Sequence, residues 1–187
     1  RVDELLGEPL LEDLPANPPL FARGLQTCTG KEFCGLAKVY TKSRAVEIAK
    51  FLDDHVQEMR SIAPSLESKH ALDLDSLRKP EITVWSVMDG ATLVGCGAIK
   101  SLDASYAEVK SMRTALARRR DGIASILLER IITEAKRMGF TRLSLETGSY
   151  EFFLPARKLY EKFGFEYCEP FADYQPDPHS VFMTRLL

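Results

Sequence analysis

The chain has 187 residues, 45% of them hydrophobic, and a formal net charge of −2, enough to bury one full core and too little positive charge for a general nucleic-acid surface. No apolar run approaches the ~20 residues of a membrane-spanning helix, so neither a nucleic acid nor a membrane is expected as a partner and a cytoplasmic protein is the simplest reading. Cys28, Cys34, Cys96 and Cys168 lack paired C-x-x-C spacing, which favours a reducing compartment and argues against a metal site.

Residues 1–37 read as an N-terminal extension of unknown role, in which Pro9, Pro15, Pro18 and Pro19 interrupt any helix. A start at Arg1 rather than Met is read as a processed, truncated or partly vector-derived end. One domain is expected over residues 38–187. It opens with a short strand from Lys38 to Tyr40, followed by an amphipathic helix with an apolar stripe of Val46, Ala49, Leu52, Val56 and Met59. Arg60, just past that helix, is either a cation for a substrate carboxylate or a surface charge. A hairpin follows, its strands running from Ile82 to Val87 and from Thr92 to Ile99 and joined through Asp89-Gly90.

From Ala107 to Thr114, small or apolar residues alternate with polar ones, as in a strand with two different faces. The basic run Arg118-Arg119-Arg120-Asp121-Gly122-Ile123-Ala124 comes next, and a long helix starts on it. Such a loop uncovers backbone N–H groups where the helix dipole is positive, which suits a phosphate; a solvated turn is the plainer alternative. In the helix Ile123, Leu127, Ile131 and Ala135 form one apolar stripe, Ala124, Leu128, Ile132 and Met138 an adjacent one, and Gly139 ends it. Leu143 and Leu145 then alternate with Arg142, Ser144 and Glu146 in a strand, and Pro155 begins a helix that Gly164 closes. The segment from Phe171 to His179 combines aromatic rings with Asp173 and Asp177, a composition suited to a cationic amine and equally to a rigid surface loop. His55, His70 and His179 are widely spaced and read as surface or satisfied histidines.

This order of elements resembles the GNAT family of acyl-CoA N-acyltransferases. Arg119-Arg120-Asp121-Gly122-Ile123-Ala124 matches the family's R/Q-x-x-G-x-G/A loop, and the run from Ala156 to Phe165, with Leu159-Tyr160 and Gly164-Phe165 in place, matches A-x-x-L-Y-x-x-x-G-F. The resemblance spans roughly Lys38 to Leu187, with Leu93-Val94-Gly95 and the closing run from Ser180 to Thr184 inside it. It implies an α/β (α+β) fold, a mixed and mostly antiparallel sheet with helices on both faces. It further implies an N-acetyltransferase that moves acetyl from acetyl-CoA, a co-substrate, to a primary amine by direct attack in a ternary complex, without a metal or a covalent enzyme intermediate. The expected acceptor is a small molecule. A protein lysine or N-terminus, or a non-catalytic acyl-CoA sensor, are the alternatives, and a homodimer is left open.

The resemblance also distributes roles. The backbone of Arg119, Arg120, Asp121, Gly122, Ile123 and Ala124, with Ser125, would cradle the coenzyme pyrophosphate, with Arg119 as its cation and Arg118 and Arg120 turned to solvent or to the 3′-phosphate. Met112, Arg113 and Thr114 would lie beside the pantetheine arm. An amine with a pKa of roughly 10.4 needs a base; Glu108 is the candidate by its distance from Gly122, with Glu146 as rival and water as a third possibility. Tyr160 matches the family tyrosine near the coenzyme sulfur, where it would supply the thiolate proton, or else it is a core residue with Ala156, Leu159 and Phe163. One departure is Phe153, at a position where the family often carries Asn; it is expected to pack against the pantetheine instead.

Overall fold

The structure is a computed structural model describing residues 36–38, 46–54, 57 and 79–187. Residues 1–35 of the N-terminal extension, with Cys28 and Cys34, lie outside the described residues, as do Arg60, His55, His70 and Val56 and Met59 of the first apolar stripe, while Leu36 and Ala37 of that extension belong to the sheet. Among the described residues seven strands form one sheet: β1 (Leu36–Lys38), β2 (Ile82–Asp89), β3 (Thr92–Ser101), β4 (Tyr106–Thr114), β5 (Arg142–Gly148), β6 (Glu166–Cys168) and β7 (Ser180–Leu186). They lie in the order β1-β2-β3-β4-β5-β7-β6, and every neighbouring pair is antiparallel except the parallel pair of β4 and β5. The expected mixed, mostly antiparallel sheet is therefore present. Helix α1 covers residues 46–54, α2 is Ile123–Arg137 and α3 is Leu154–Lys162.

The helices pack on both faces. Ile123, Leu127, Leu128, Ile131, Ile132 and Ala135 of α2 are buried in the main core with Ala107, Val109, Leu143 and Leu145 of the sheet and with Tyr160 and Phe165. Two glycines of β3 let α2 come this close, since a Cβ on Gly95 would stand 2.8 Å from Ile123 and one on Gly97 2.9 Å from Ile131. Ile48 and Leu52 of α1 join Met88, Leu93 and Cys96 in a second cluster. The α1 stripe thus runs through Ile48 and Leu52 rather than Val46 and Ala49, because the sheet offers Leu93 and Cys96 to that side of the helix. Met138, placed by its spacing in the α2 stripe, is exposed, and Phe140 takes its place in the core. The helix stops where Gly139 adopts φ +92°, a left-handed conformation that needs glycine.

Candidate active site

A bulge in β4 opens the site. Cys96 pairs with Arg113 and Ala98 with Lys110, so Ser111 and Met112 together oppose Gly97, and Ser111 sits at φ +54°. The parallel pairing of β4 with β5 then covers only Tyr106 to Val109 against Arg142 to Leu145. Beyond those four register pairs the strands part. Lys110 through Thr114 stand on one side of the opening, which includes the expected pantetheine-side residues Met112, Arg113 and Thr114, and Glu146 through Gly148 stand on the other.

At the end of β4, Ala115 donates to the carbonyl of Val94 and a short 3-10 turn, Leu116–Arg118, leads into the basic loop. Arg120 at φ +73° and Gly122 at φ +84° twist that loop so that α2 starts at Ile123. Among the described residues, no backbone N–H of residues 120–125 donates to a backbone carbonyl, and a Cβ on Gly122 would meet nothing within 4 Å. Bare donors, a helix N-terminus and open space fit an anionic ligand. Arg118 is drawn away from such a role, with Nε on Asp121 at 2.8 Å and Nη1 on Asp89. Arg119 reaches over the ring of Phe152, 5.7 Å from its centroid, linking the basic loop to the segment ahead of α3.

That segment is braced by Arg157, whose Nη1 donates to the carbonyls of Gly148, at 2.6 Å, and Tyr150. Phe153 lies against Gly148 so closely that a Cβ there would stand 2.3 Å from its ring. It therefore covers the end of β5, on the side of the opening where Gly148 stands. Tyr160 on α3 is buried, its ring edge-on to Phe165 at 5.9 Å. Burial first, and the charge of Glu146 second, push its hydroxyl pKa well above the ordinary tyrosine value.

On the other face of the sheet Glu108 is 2% exposed. Its Oε1 accepts from Lys110 Nζ at 2.8 Å and from the Tyr174 hydroxyl at 2.6 Å, and Lys110 also donates to that hydroxyl at 2.9 Å. Tyr174 belongs to an aromatic group with Phe171 and Phe182, at 5.1 and 5.3 Å, and Phe171 also meets Tyr106 at 6.0 Å. Burial, then the charge and hydrogen bond of Glu108, and lastly Glu146 drive the Tyr174 pKa far upward. Glu146 accepts from Ser180 at 2.6 Å. The structure thus places Glu108 within the paired stretch of β4, next to its end, and Glu146 at one side of the opening that follows. It adds Lys110 and Tyr174, which sequence reasoning did not assign as partners of Glu108. A signal for Lys110 was present: two residues apart on a strand, Glu108 and Lys110 share a face. His179 stacks on Tyr150 at 5.4 Å, with its Nδ1 2.9 Å from the tyrosine hydroxyl.

Among the described residues, no group of three or more His, Cys, Asp or Glu side chains is placed to hold a metal ion, and no helix is long and apolar enough to cross a membrane. The sequence profile of the Acetyltransferase (GNAT) family matches residues 48–165. An uncharacterized N-acetyltransferase of Bacillus subtilis, YsnE, is 54% identical over 141 residues, covering 75% of this chain and 93% of its own. A protein of Azospirillum brasilense named IAA acetyltransferase is 44% identical over 122 residues, 65% of this chain and 78% of its own. Among solved structures, an acyl-CoA N-acyltransferase from Klebsiella pneumoniae superposes with a TM-score of 0.64 at 25% identity, covering 83% of this chain and 97% of that one.

Proposed function

We propose, from the premise that this chain belongs to the Acetyltransferase (GNAT) family, that it transfers acetyl from acetyl-CoA to the amine of a small molecule by direct attack. The observation that carries this reading is the parting of β4 and β5 beside a loop of bare N–H groups at the head of α2. The loop from Arg119 to Ser125 is suited to the pyrophosphate. The half-buried edge of β4 from Lys110 to Thr114 that turns away from β3 is suited to an amide-bearing arm that needs strand-like partners. The coenzyme supplies the activated acetyl thioester; the protein has to hold it, take a proton from the amine and give one to the departing sulfur.

In this reading Glu108 and Glu146 are the carboxylates available to an amine proton, and Tyr160 is the donor to the thiolate, kept protonated by its buried setting. An acceptor of small size is supported by the aromatic group of Tyr106, Phe171, Tyr174 and Phe182, which walls the face where Glu108 lies. A screen of thiol release from acetyl-CoA against amino acids, polyamines, aminoglycosides and peptides tests the proposal. Turnover with a small amine is expected. Thiol release with peptides alone would move the acceptor to a protein lysine or N-terminus, and tight acetyl-CoA binding with no release would make the chain a sensor.

A further inference from the structure

We propose that Ser180 is a positioning residue, which holds the Glu146 carboxylate as the base for the acceptor amine. This inference rests on the acetyl-transfer reading above and chooses between the two carboxylates within it. Glu108 lies inside the paired stretch of β4 and is 2% exposed, with its Oε1 occupied by Lys110 Nζ at 2.8 Å and the Tyr174 hydroxyl at 2.6 Å. Glu146 lies just past the last register pair of β4 and β5, at the side of the opening, and is half-buried. Of the two, it is the one that solvent reaches.

The bond that fixes Glu146 comes from β7. Ser180 Oγ donates to Glu146 Oε1 at 2.6 Å, and among the described residues no donor takes Oε2. Register accounts for the contact: Glu146 pairs with Phe182 and Gly148 with Ser180, so Ser180 stands diagonally from Glu146 on the same face of the sheet. The serine is itself anchored. Its N–H donates to the Asp177 carbonyl at 3.1 Å, Ser149 N–H donates to the His179 carbonyl at 2.9 Å, and Ser149 Oγ donates to the Pro178 carbonyl at 2.8 Å. These bonds tie the start of β7 to the end of β5 without help from a ligand.

The titratable groups that face Glu146 among the described residues are Tyr160 from α3 and Tyr174 from the segment ahead of β7, each held protonated first by burial, with the charge of Glu146 adding to it. Lys110, the first charged residue of β4 past the register pairs, is bonded to Glu108 and Tyr174. Lys110 thus neutralises Glu108, whereas a neutral hydroxyl leaves the charge of Glu146 for an ammonium. In the step, an N–H bond of the bound ammonium breaks and an O–H bond forms on Glu146 Oε2. Ammonium and carboxylate become neutral amine and carboxylic acid, and Ser180 keeps its own proton throughout. The lone pair freed on the amine is the one that attacks the thioester.

The test is thiol release as a function of pH by wild type, Glu146→Gln, Glu108→Gln, Ser180→Ala, Ser180→Val and Ser180→Thr. In wild type kcat should fall on the acidic side as the base takes up a proton, and Glu146→Gln should remove that limb. The Ser180 hydroxyl stabilises the ionised carboxylate more than the acid, so its loss in Ser180→Ala or Ser180→Val should move the limb upward by roughly 1 pH unit. Ser180→Thr, which has the shape of valine with the hydroxyl restored, should keep the limb in place. Carboxyl-carbon NMR of protein labelled at glutamate reads the same titration without an acceptor, the Glu146 signal being the one missing from Glu146→Gln. Three results overturn the inference and leave acetyl transfer standing: a wild-type profile with no acidic limb, a limb that Glu108→Gln removes and Glu146→Gln leaves, and a limb or a Glu146 titration unmoved in Ser180→Ala and Ser180→Val. Absence of thiol release by wild type with every amine overturns both.

Discussion

Tyr160 and Lys110 are the two single residues whose surroundings make the sharpest demands. Tyr160→Phe keeps the ring that meets Phe165 in the core and removes only the hydroxyl. Fold and acetyl-CoA affinity should therefore stay close to wild type, while kcat falls ~10²-fold, about 2.7 kcal/mol of transition-state stabilisation. Isothermal calorimetry alongside steady-state rates checks this, and undiminished turnover would return Tyr160 to a packing role. Lys110 provides the positive charge beside a carboxylate that is 3% exposed in its side chain. Lys110→Met leaves that carboxylate without its ion pair, and should lower the unfolding free energy by roughly 3 kcal/mol, read as a lower urea midpoint at unchanged slope. At this scale the sequence was informative where alternation fixed a face. Glu108 was legible as a strand carboxylate, but its pairing with Tyr174 joins positions 66 apart, and no local pattern reports such a contact.

The strand, basic loop and α2 form a unit that depends on backbone conformation more than on side chains. Gly122→Val should weaken acetyl-CoA binding at least tenfold, because φ +84° is strained for a side-chain-bearing residue by ~1 kcal/mol and the Cβ projects into space the protein leaves open. Calorimetry gives the affinity, and circular dichroism should find the fold intact; unchanged affinity would remove the loop from the coenzyme site. This unit was readable in advance because a 3.6-residue period, a glycine stop and a two-residue alternation are strong local signals. β6 was not, since its three residues, Glu166–Cys168, are too few to show a period. The bulge at Ser111 was equally silent: serine has no marked preference for positive φ, and the extra residue is defined only against Gly97 on the neighbouring strand. The phase of α1 was misjudged for a related reason, as Val46-Ala49-Leu52 and Ile48-Leu52 are both acceptable stripes until a sheet selects one.

Taken as a whole, the molecule should lose stability on the alkaline side. Burial raises Cys96 from the ordinary thiol value of 9.0 to about 12, and pushes Tyr160 and Tyr174 upward as well. Each of these groups holds its proton more tightly folded than unfolded. The stability this contributes is complete below about pH 9 and is lost as the pH rises toward 12. Urea midpoints measured from about pH 8 to 11 should fall, and Cys96→Ala should flatten the early part of that decline. The four register pairs between β4 and β5 carry a different consequence. Among the described residues they are the sole ladder between a half-sheet of β1 to β4 and another of β5, β7 and β6, so the two halves of the sheet meet along a short seam. A ligand lying in the fork would bridge that seam. Hydrogen exchange should accordingly slow on acetyl-CoA binding at residues 110–114 and 146–148 far more than in the β2–β3 hairpin, making the coenzyme a mechanical crosspiece of the fold as well as its reactant.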